Sequence, residues 1–489
     1  MASHDARARK NIHFHSRKNF WQGCSHDFCV CFGVTPNAAL EGCEITDRNL
    51  SVKSLTRVGV LRALAAIILF AGVTAFADDA PTGFDTLTNG FADQDTFAAD
   101  LAKFEEVEAI KDGLGPVYNA QSCRECHQNP VSGGSSQITE LRVGHLDQRG
   151  RFQDARIPIV RGTVVITGRS LVNDRAICPN KDFPNTEIQE RVPDSENIRT
   201  LRVSLNLLGD GFVEAIADQT LIDLARNQCR ASRGAICGQA LRVPIVEAPG
   251  QTAIGRFGWK DQHASLLSFA ADAYLNEMGI TNPLQPDEVT TLCNTVSEPN
   301  DTPGADGLAD IDRFARFVRS TKAASRDDTL AATPQAVKGA ALFQRVGCVI
   351  CHVQSLTTAP VGSKVNGSAF TVPDALGGKT IHPYSDFLLH DVGTGDGIVM
   401  AWTEHYGKNV YNIDWKGRSD ELVQRTRNKI RTPPLWGVRM RARLMHDGGS
   451  VTFSDAIRRH RGEASKVVRK FNDLNQADRQ AIEEFLRSL

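Results

Sequence analysis

Apolar positions recur along this chain in two registers, and the registers divide it. Phe97, Leu101, Phe104, Val107 and Ile110 return every three or four residues, the period of one helical face, with Asp95 and Thr96 as candidate caps. A break at Gly113-Leu114-Gly115-Pro116 ends that pattern. From about 138 to 250 the apolar positions shorten to strand-like runs, among them 157–160 and 163–166, separated by polar loops. Helical spacing returns at Leu266–Met278 and at 311–318. A second compact unit begins near Thr333, where Thr333-Pro334 opens a helix carrying Val337, Ala341 and Leu342 towards Gly347. Asn475-Gln476-Ala477-Asp478 caps a last helix whose apolar face is Ile482, Phe485, Leu486 and Leu489. The pattern predicts a mainly α protein with a mixed α/β insertion, divided into 78–332 and 333–489.

One apolar run fits neither register. Lys53, Arg57 and Arg62 precede an uninterrupted apolar stretch at 63–73, and Ala75-Phe76-Ala77 follows, then Asp78-Asp79. This is the three-part plan of a secretory signal, expected to span 52–77 and to be cleaved after Ala77 on export to the periplasm. The run is too short for a transmembrane helix, which needs about 20 residues, so the mature chain is expected to carry no integral membrane segment. Residues 1–51 are polar, without periodicity, and hold Cys24, Cys29, Cys31 and Cys43; they read as a non-native extension upstream of a true start such as Val52, the alternative being a long, unusual leader. The formal charge is −1, and residues 1–77 hold nine Lys/Arg against five Asp/Glu, so the mature chain carries −5. A mildly acidic protein has no electrostatic footprint for nucleic acid.

The chemistry lies in the cysteines. Cys123-Arg124-Glu125-Cys126-His127 and Cys348-Val349-Ile350-Cys351-His352 repeat one spacing. Two thiols three positions apart can add across the two vinyl groups of one haem, and the adjacent His then ligates its iron. With 12 Cys and 13 His in 489 residues, about 0.008 such matches are expected by chance. Paired zinc knuckles lie within about 15–20 residues of each other, whereas these motifs stand more than two hundred apart. A thioredoxin-like dithiol needs a βαβ setting and no His after the second Cys. Two covalently bound c-type haems are therefore expected, with His127 and His352 as proximal ligands. The other mature cysteines, Cys178, Cys229, Cys237 and Cys293, are even in number, and Cys229–Cys237 is the first disulfide to test. Seven further mature histidines, His145, His263, His382, His390, His405, His446 and His460, are available as sixth ligands, and composition does not choose among them.

At these residues the chain resembles the bacterial di-haem cytochrome c peroxidase superfamily, and more closely its di-haem oxidoreductase, thiol oxidoreductase-like branch. The resemblance rests on Gly113-Leu114-Gly115-Pro116-Val117-Tyr118-Asn119, Gly255-Arg256-Phe257-Gly258-Trp259-Lys260 and Leu389-His390-Asp391-Val392-Gly393. Arg431-Thr432-Pro433-Pro434-Leu435-Trp436-Gly437 and Met445-His446-Asp447-Gly448-Gly449 complete it. It implies two cytochrome c-like haem domains with the catalytic region between them. It also implies that the N-terminal haem meets hydrogen peroxide while the C-terminal haem passes electrons to it. In relatives a Met ligand follows the His-(Asp/Ser)-Gly motif at a fixed interval; here that interval, counted from His446, ends on His460. The resemblance further implies His145 as the distal ligand of the first haem and Trp259 as an electron relay; O–O cleavage also needs an acid to protonate the leaving oxygen, and Glu277, on the helical pattern that follows Trp259, is the candidate. A bridging Ca²⁺ is found in relatives. The donor is expected to be a small redox protein or a quinol-linked carrier, the oxidant peroxide or a relative of it. Two alternatives stay open: a pure electron-transfer cytochrome, and a di-haem oxygenase or protein-modifying enzyme.

Overall fold

The computed structural model describes residues 77–293, 301–400 and 419–489. The upstream segment 1–51, the signal at 52–77 up to its last residue, and His405 lie outside the described residues. Helix α1 (Gln94–Glu105) starts where the Asp93 carboxylate accepts the Thr96 amide at 2.8 Å, which satisfies one of the orphan donors of the first turn. Its buried face carries Phe97, Asp100 and Phe104. The helix ends sooner than the apolar period suggests: Glu106 turns to extended backbone, leaving Val107 65% exposed and Ile110 39% exposed.

Strand β1 (Thr139–Leu146) is the centre of the largest sheet. Its far edge pairs antiparallel with β2 (Phe152–Asp154) and β3 (Leu171–Val172), its near edge with β4 (Ile198–Val203). Helix α2 (Leu266–Met278) is capped by Ser265, whose hydroxyl accepts the amides of Leu267 and Ser268, and stops at Gly279 in the left-handed region. Helix α3 (Asp310–Ser320) packs its Phe314 and Phe317 on Phe104, ring centroids 6.4 and 4.7 Å apart. Arg316 of α3 closes both guanidinium arms on Asp100 at 2.6 and 2.8 Å, so the carboxylate buried between α1 and α3 is paired.

The second half is held by helices packed on one another. Helix α4 (Pro334–Val346) has Thr333 as N-cap and Gly347 at its left-handed end, as its sequence announces. The short α5 (Phe453–Arg459) and α6 (Ser465–Asn472) lead to α7 (Gln476–Ser488), capped by Asn475. Leu342, Phe343, Val346, Phe471, Ile482, Phe485 and Leu486 form one buried cluster where α4 meets α6 and α7. The α4–α7 approach depends on Gly339, because a Cβ there would stand 1.9 Å from the Ala481 carbonyl oxygen. Gly339→Val therefore meets backbone that cannot step aside and should cost about 3 kcal/mol or more. Thermal unfolding checks this, and an unchanged Tm would mean the helices do not approach so closely.

The expectation of a mainly α protein with a mixed α/β insertion is corrected by the structure, whose described residues are 33% helix and 16% strand, with seven small sheets among them. Strands also thread the second half: Leu356–Thr357 with Lys379–Ile381, Lys364–Val365 with Phe370–Thr371, and Leu389–His390 with Ile430–Arg431. Ladders of two or three residues are too short to show a period of two, so they read as loop in the sequence. The strand Asp78–Asp79 pairs in parallel with Lys379–Ile381, so the start of the described chain is tied to its second half. Cys229 is bonded to Cys237, as expected, and Cys178 to Cys293. No helix among the described residues is long and apolar enough to cross a membrane.

Candidate functional site: two cavities joined at one tryptophan

Cys123–Cys126 form a single helical turn whose end is fixed by the His127 amide on the Cys123 carbonyl at 3.0 Å. That turn puts both free thiols and the His127 imidazole on the wall of one cavity. His127 Nδ1 lies 2.9 Å from the Leu205 carbonyl and 3.2 Å from that of Gly134, so Nδ1 carries the hydrogen and Nε2 keeps its lone pair. Burial holds the ring below its usual pKa and neutral. A neutral imidazole with its far nitrogen tied to a backbone carbonyl is the arrangement a metal-ligating His takes.

Facing that cavity are two side chains of β1, Glu140 and Arg142, and Glu277 of α2. Arg142 Nε binds Glu140 at 2.7 Å and Arg142 Nη2 stands 3.7 Å from Glu277, while Asn119 donates to Glu277 at 3.1 Å. Burial, then the neighbouring Glu140 charge, push Glu277 well above the usual carboxylate range. Burial would raise Glu140 also, but the Arg142 guanidinium outweighs it and holds Glu140 low. One carboxyl of the pair thus keeps a proton while the other is ionised. Glu277 was expected here; Glu140 and Arg142 were not. Their signal was alternation, both lying on the same face of one strand, but charged positions on a strand normally read as its solvent side.

His145 stands elsewhere. It follows Arg142 by three positions, so strand alternation turns it to the other face, where Nδ1 meets Glu196 at 2.8 Å. It lines neither cavity.

The second cavity repeats the first with fewer polar groups. Cys348, Cys351 and His352 line it, the thiols free, and His352 Nδ1 lies 2.9 Å from the Tyr384 carbonyl. Burial pushes His352 down to about 4. His460 lines the same cavity from the end of α5, with its Nδ1 2.8 Å from the Ala456 carbonyl, so its Nε2 is free as well. Burial lowers its pKa too. His390 has no free nitrogen, since Nδ1 meets Glu463 at 2.8 Å and Nε2 meets Asp386 at 2.9 Å. His446 is buried with Nδ1 unpartnered, and its ring sits edge-on to Trp259 with centroids 6.1 Å apart.

Among the described residues Trp259 alone lines both cavities. Its indole donates to the Val203 carbonyl at 2.8 Å and its own carbonyl accepts the Arg431 amide at 2.9 Å, so β4 on one side and the Arg431 segment on the other fix the ring. The donor sets thus suit two haems: paired thiols, a neutral oriented imidazole beside them, and enclosing apolar walls. Among the described residues the one group of three close potential metal ligands is Cys351, Asp386 and His390. A thiol and an imidazole are not the oxygen set that Ca²⁺ takes, and the expected Ca²⁺ gains no support from it.

Such a pair of cavities, bridged by one indole, defines a redox protein. A family model described as "Di-haem oxidoreductase, putative peroxidase" matches residues 179–489, and the chain belongs to that family. It is accordingly a haem-dependent oxidoreductase. The match begins beyond the Cys123–His127 motif, so the first cavity stands on its own geometry. A search of curated proteins gives no match. Among solved structures, hydrazine synthase of Kuenenia stuttgartiensis is 12% identical, with 94% of this chain and 100% of that chain covered and a TM-score of 0.36. A MauG-like protein associated with microbial copper homeostasis is 12% identical, with 86% and 95% covered and a TM-score of 0.36. Likeness at that distance carries no weight for function.

Proposed function

We propose that this oxidoreductase is an exported di-haem peroxidase, with peroxide reduced in the first cavity and electrons admitted through the second. In this reading Cys123 and Cys126 hold one haem covalently and His127 is its proximal ligand. Cys348, Cys351 and His352 would hold the other, with the free Nε2 of His460 in the same cavity as its second imidazole donor. A haem so bound supplies the redox chemistry that no side chain here possesses. The residues supply the rest. Glu277 keeps a proton facing the first cavity, where the departing oxygen of a peroxide needs one. Arg142 and Asn119 hold that carboxyl in place, and burial with the Glu140 charge keeps it protonated against the opposing pull of Arg142. Trp259 fills the wall between the cavities and is the natural relay. The observation that carries the reading is the asymmetry of the two cavity linings. Beside its Cys-x-x-Cys-His motif the first presents a carboxyl raised well above its usual range and no further imidazole, the second the free Nε2 of His460 and no acid. An open site and a saturated one follow, which a pure electron carrier does not need.

The disulfides Cys178–Cys293 and Cys229–Cys237 support an oxidising compartment, and with it the export signal read at 52–77. The mature chain should begin at Asp78, which N-terminal sequencing from the native host decides; a product retaining Cys24 contradicts it.

Glu277→Gln tests the acid. Peroxide kcat/KM should fall by about 10²–10⁴-fold with both haems still bound. In the parent enzyme activity should decline as pH rises through the raised pKa of Glu277, because the protonated form is lost there, and the variant should lack that limb. Full activity with an unchanged pH profile would remove Glu277 from the chemistry.

A further inference from the structure

Charge is distributed unevenly along the mature chain. Residues 78–332 hold 25 Lys/Arg against 37 Asp/Glu, a balance of −12, whereas residues 333–489 hold 22 against 15, a balance of +7. Part of the positive excess is gathered at the second cavity. Helix α6 turns Val467 and Val468 to that cavity and Phe471 to the buried cluster, while Lys466, Arg469 and Lys470, three and four positions apart, are exposed on its opposite side. Just before it, Ile457 and His460 line the cavity, with Arg458 and Arg461 exposed beside them. None of these five cations has an ion pair with a carboxylate among the described residues, whereas neighbouring Arg459 is engaged by Asp447 at 3.0 Å and Glu463 is engaged by His390. Asp455 and Asp473 are the exposed acids on this stretch. A single helix, about 10 Å thick, therefore separates the second cavity from a surface rich in unpaired positive charge.

We infer that the outer face of α6, with Arg458 and Arg461, is the docking surface for an acidic redox protein that delivers electrons to the second cavity. The inference rests on the proposed reading that electrons enter there. Each encounter oxidises the partner by one electron, and two encounters supply the pair that hydrogen peroxide takes up with two protons to give two waters. A net-negative protein with a local positive face orients an acidic partner while its remaining surface repels it, so the face sets both approach rate and pose. An anionic membrane is the less favoured occupant, because an interfacial helix turns its apolar side outward, and here Val467, Val468 and Phe471 face inward.

The test uses the haem-loaded mature chain in anaerobic stopped flow, with two reductants: plant-type ferredoxin, a small and strongly acidic redox protein, and hexaammineruthenium(II), a small cation. Reduction of the second haem by ferredoxin should slow about tenfold or more as ionic strength rises from ~0.01 M to ~0.15 M and the Debye length shrinks from ~30 Å to ~8 Å. The ruthenium rate should hold or rise. The variant K466E/R469E/K470E should lose the ferredoxin advantage at low salt, with K466Q/R469Q/K470Q between it and the parent, all three showing the same circular dichroism. A ferredoxin rate that the reversal leaves unchanged, with the second haem still reduced first, overturns the docking surface and leaves the electron-entry reading standing. If both reductants reduce the first haem first, the entry reading itself fails. If the reversal abolishes binding to anionic phospholipid vesicles but not ferredoxin reduction, the face belongs to a membrane and the inference is overturned.

Discussion

Cys123→Ala combined with Cys126→Ala is expected to yield a folded chain with one covalent haem and no measurable peroxide turnover. The two thiols sit on one helical turn, free, on the wall of the cavity that also presents Glu277 and the Nε2 side of His127. Removing both takes away the covalent tether without touching Trp259, Glu277 or anything in the second half. The unaltered chain, expressed with a cytochrome c maturation system, should keep two haems through acid–organic extraction, and the variant one. Its remaining haem should still be reducible, because His352 and His460 are untouched. Loss of the first centre is therefore separable from global damage, and the activity deficit should be total instead of the 10²–10⁴-fold expected of an absent acid. His127→Gly should act in the same sense, with peroxide turnover lost and the second haem reducible. Robust peroxide turnover by either variant would reverse the roles given to the two cavities.

What the sequence disclosed of this site follows the distance over which its chemistry is local. The Cys-x-x-Cys-His spacing is chemistry within one helical turn, so it could be read directly, as could the caps at Asn475 and at Thr333-Pro334. Trp259 came through resemblance and Glu277 from the chemical need for an acid on the helical pattern that follows it, and both line the first cavity. Glu140 and Arg142 could not be found that way. They meet Glu277 across 137 and 135 positions of chain, and only the pairing of β1 with its neighbours turns them inward. His145 shows the converse error: an interval counted along the sequence ignores the pleat, and on β1 a shift of three residues changes the face. The fold class failed for a related reason. Strands such as Lys364–Val365 and Ile430–Arg431 are set by the partner they meet and not by any pattern of their own.

The second cavity offers the other large effect. His460→Ala should convert a low-spin haem to high-spin in the oxidised protein, seen by optical and paramagnetic spectroscopy, whereas His460→Met should keep it low-spin and raise its reduction potential. The counting interval from His446 gave the position, and the geometry adds two independent reasons. His460 and His352 line the same cavity, each with Nδ1 on a backbone carbonyl at 2.8 and 2.9 Å, which leaves both Nε2 atoms as the available donors. Burial keeps both rings neutral, the form that ligates. The competitors are weaker. His390 spends both nitrogens on Asp386 and Glu463, and His446, which also lines this cavity, lies edge-on to Trp259 and has no backbone carbonyl fixing its Nδ1. Exchange of an imidazole for a thioether raises the potential because the thioether favours the reduced iron. If His460→Ala leaves both haem spectra unchanged, the sixth ligand is elsewhere, and His446→Ala becomes the variant that should move them.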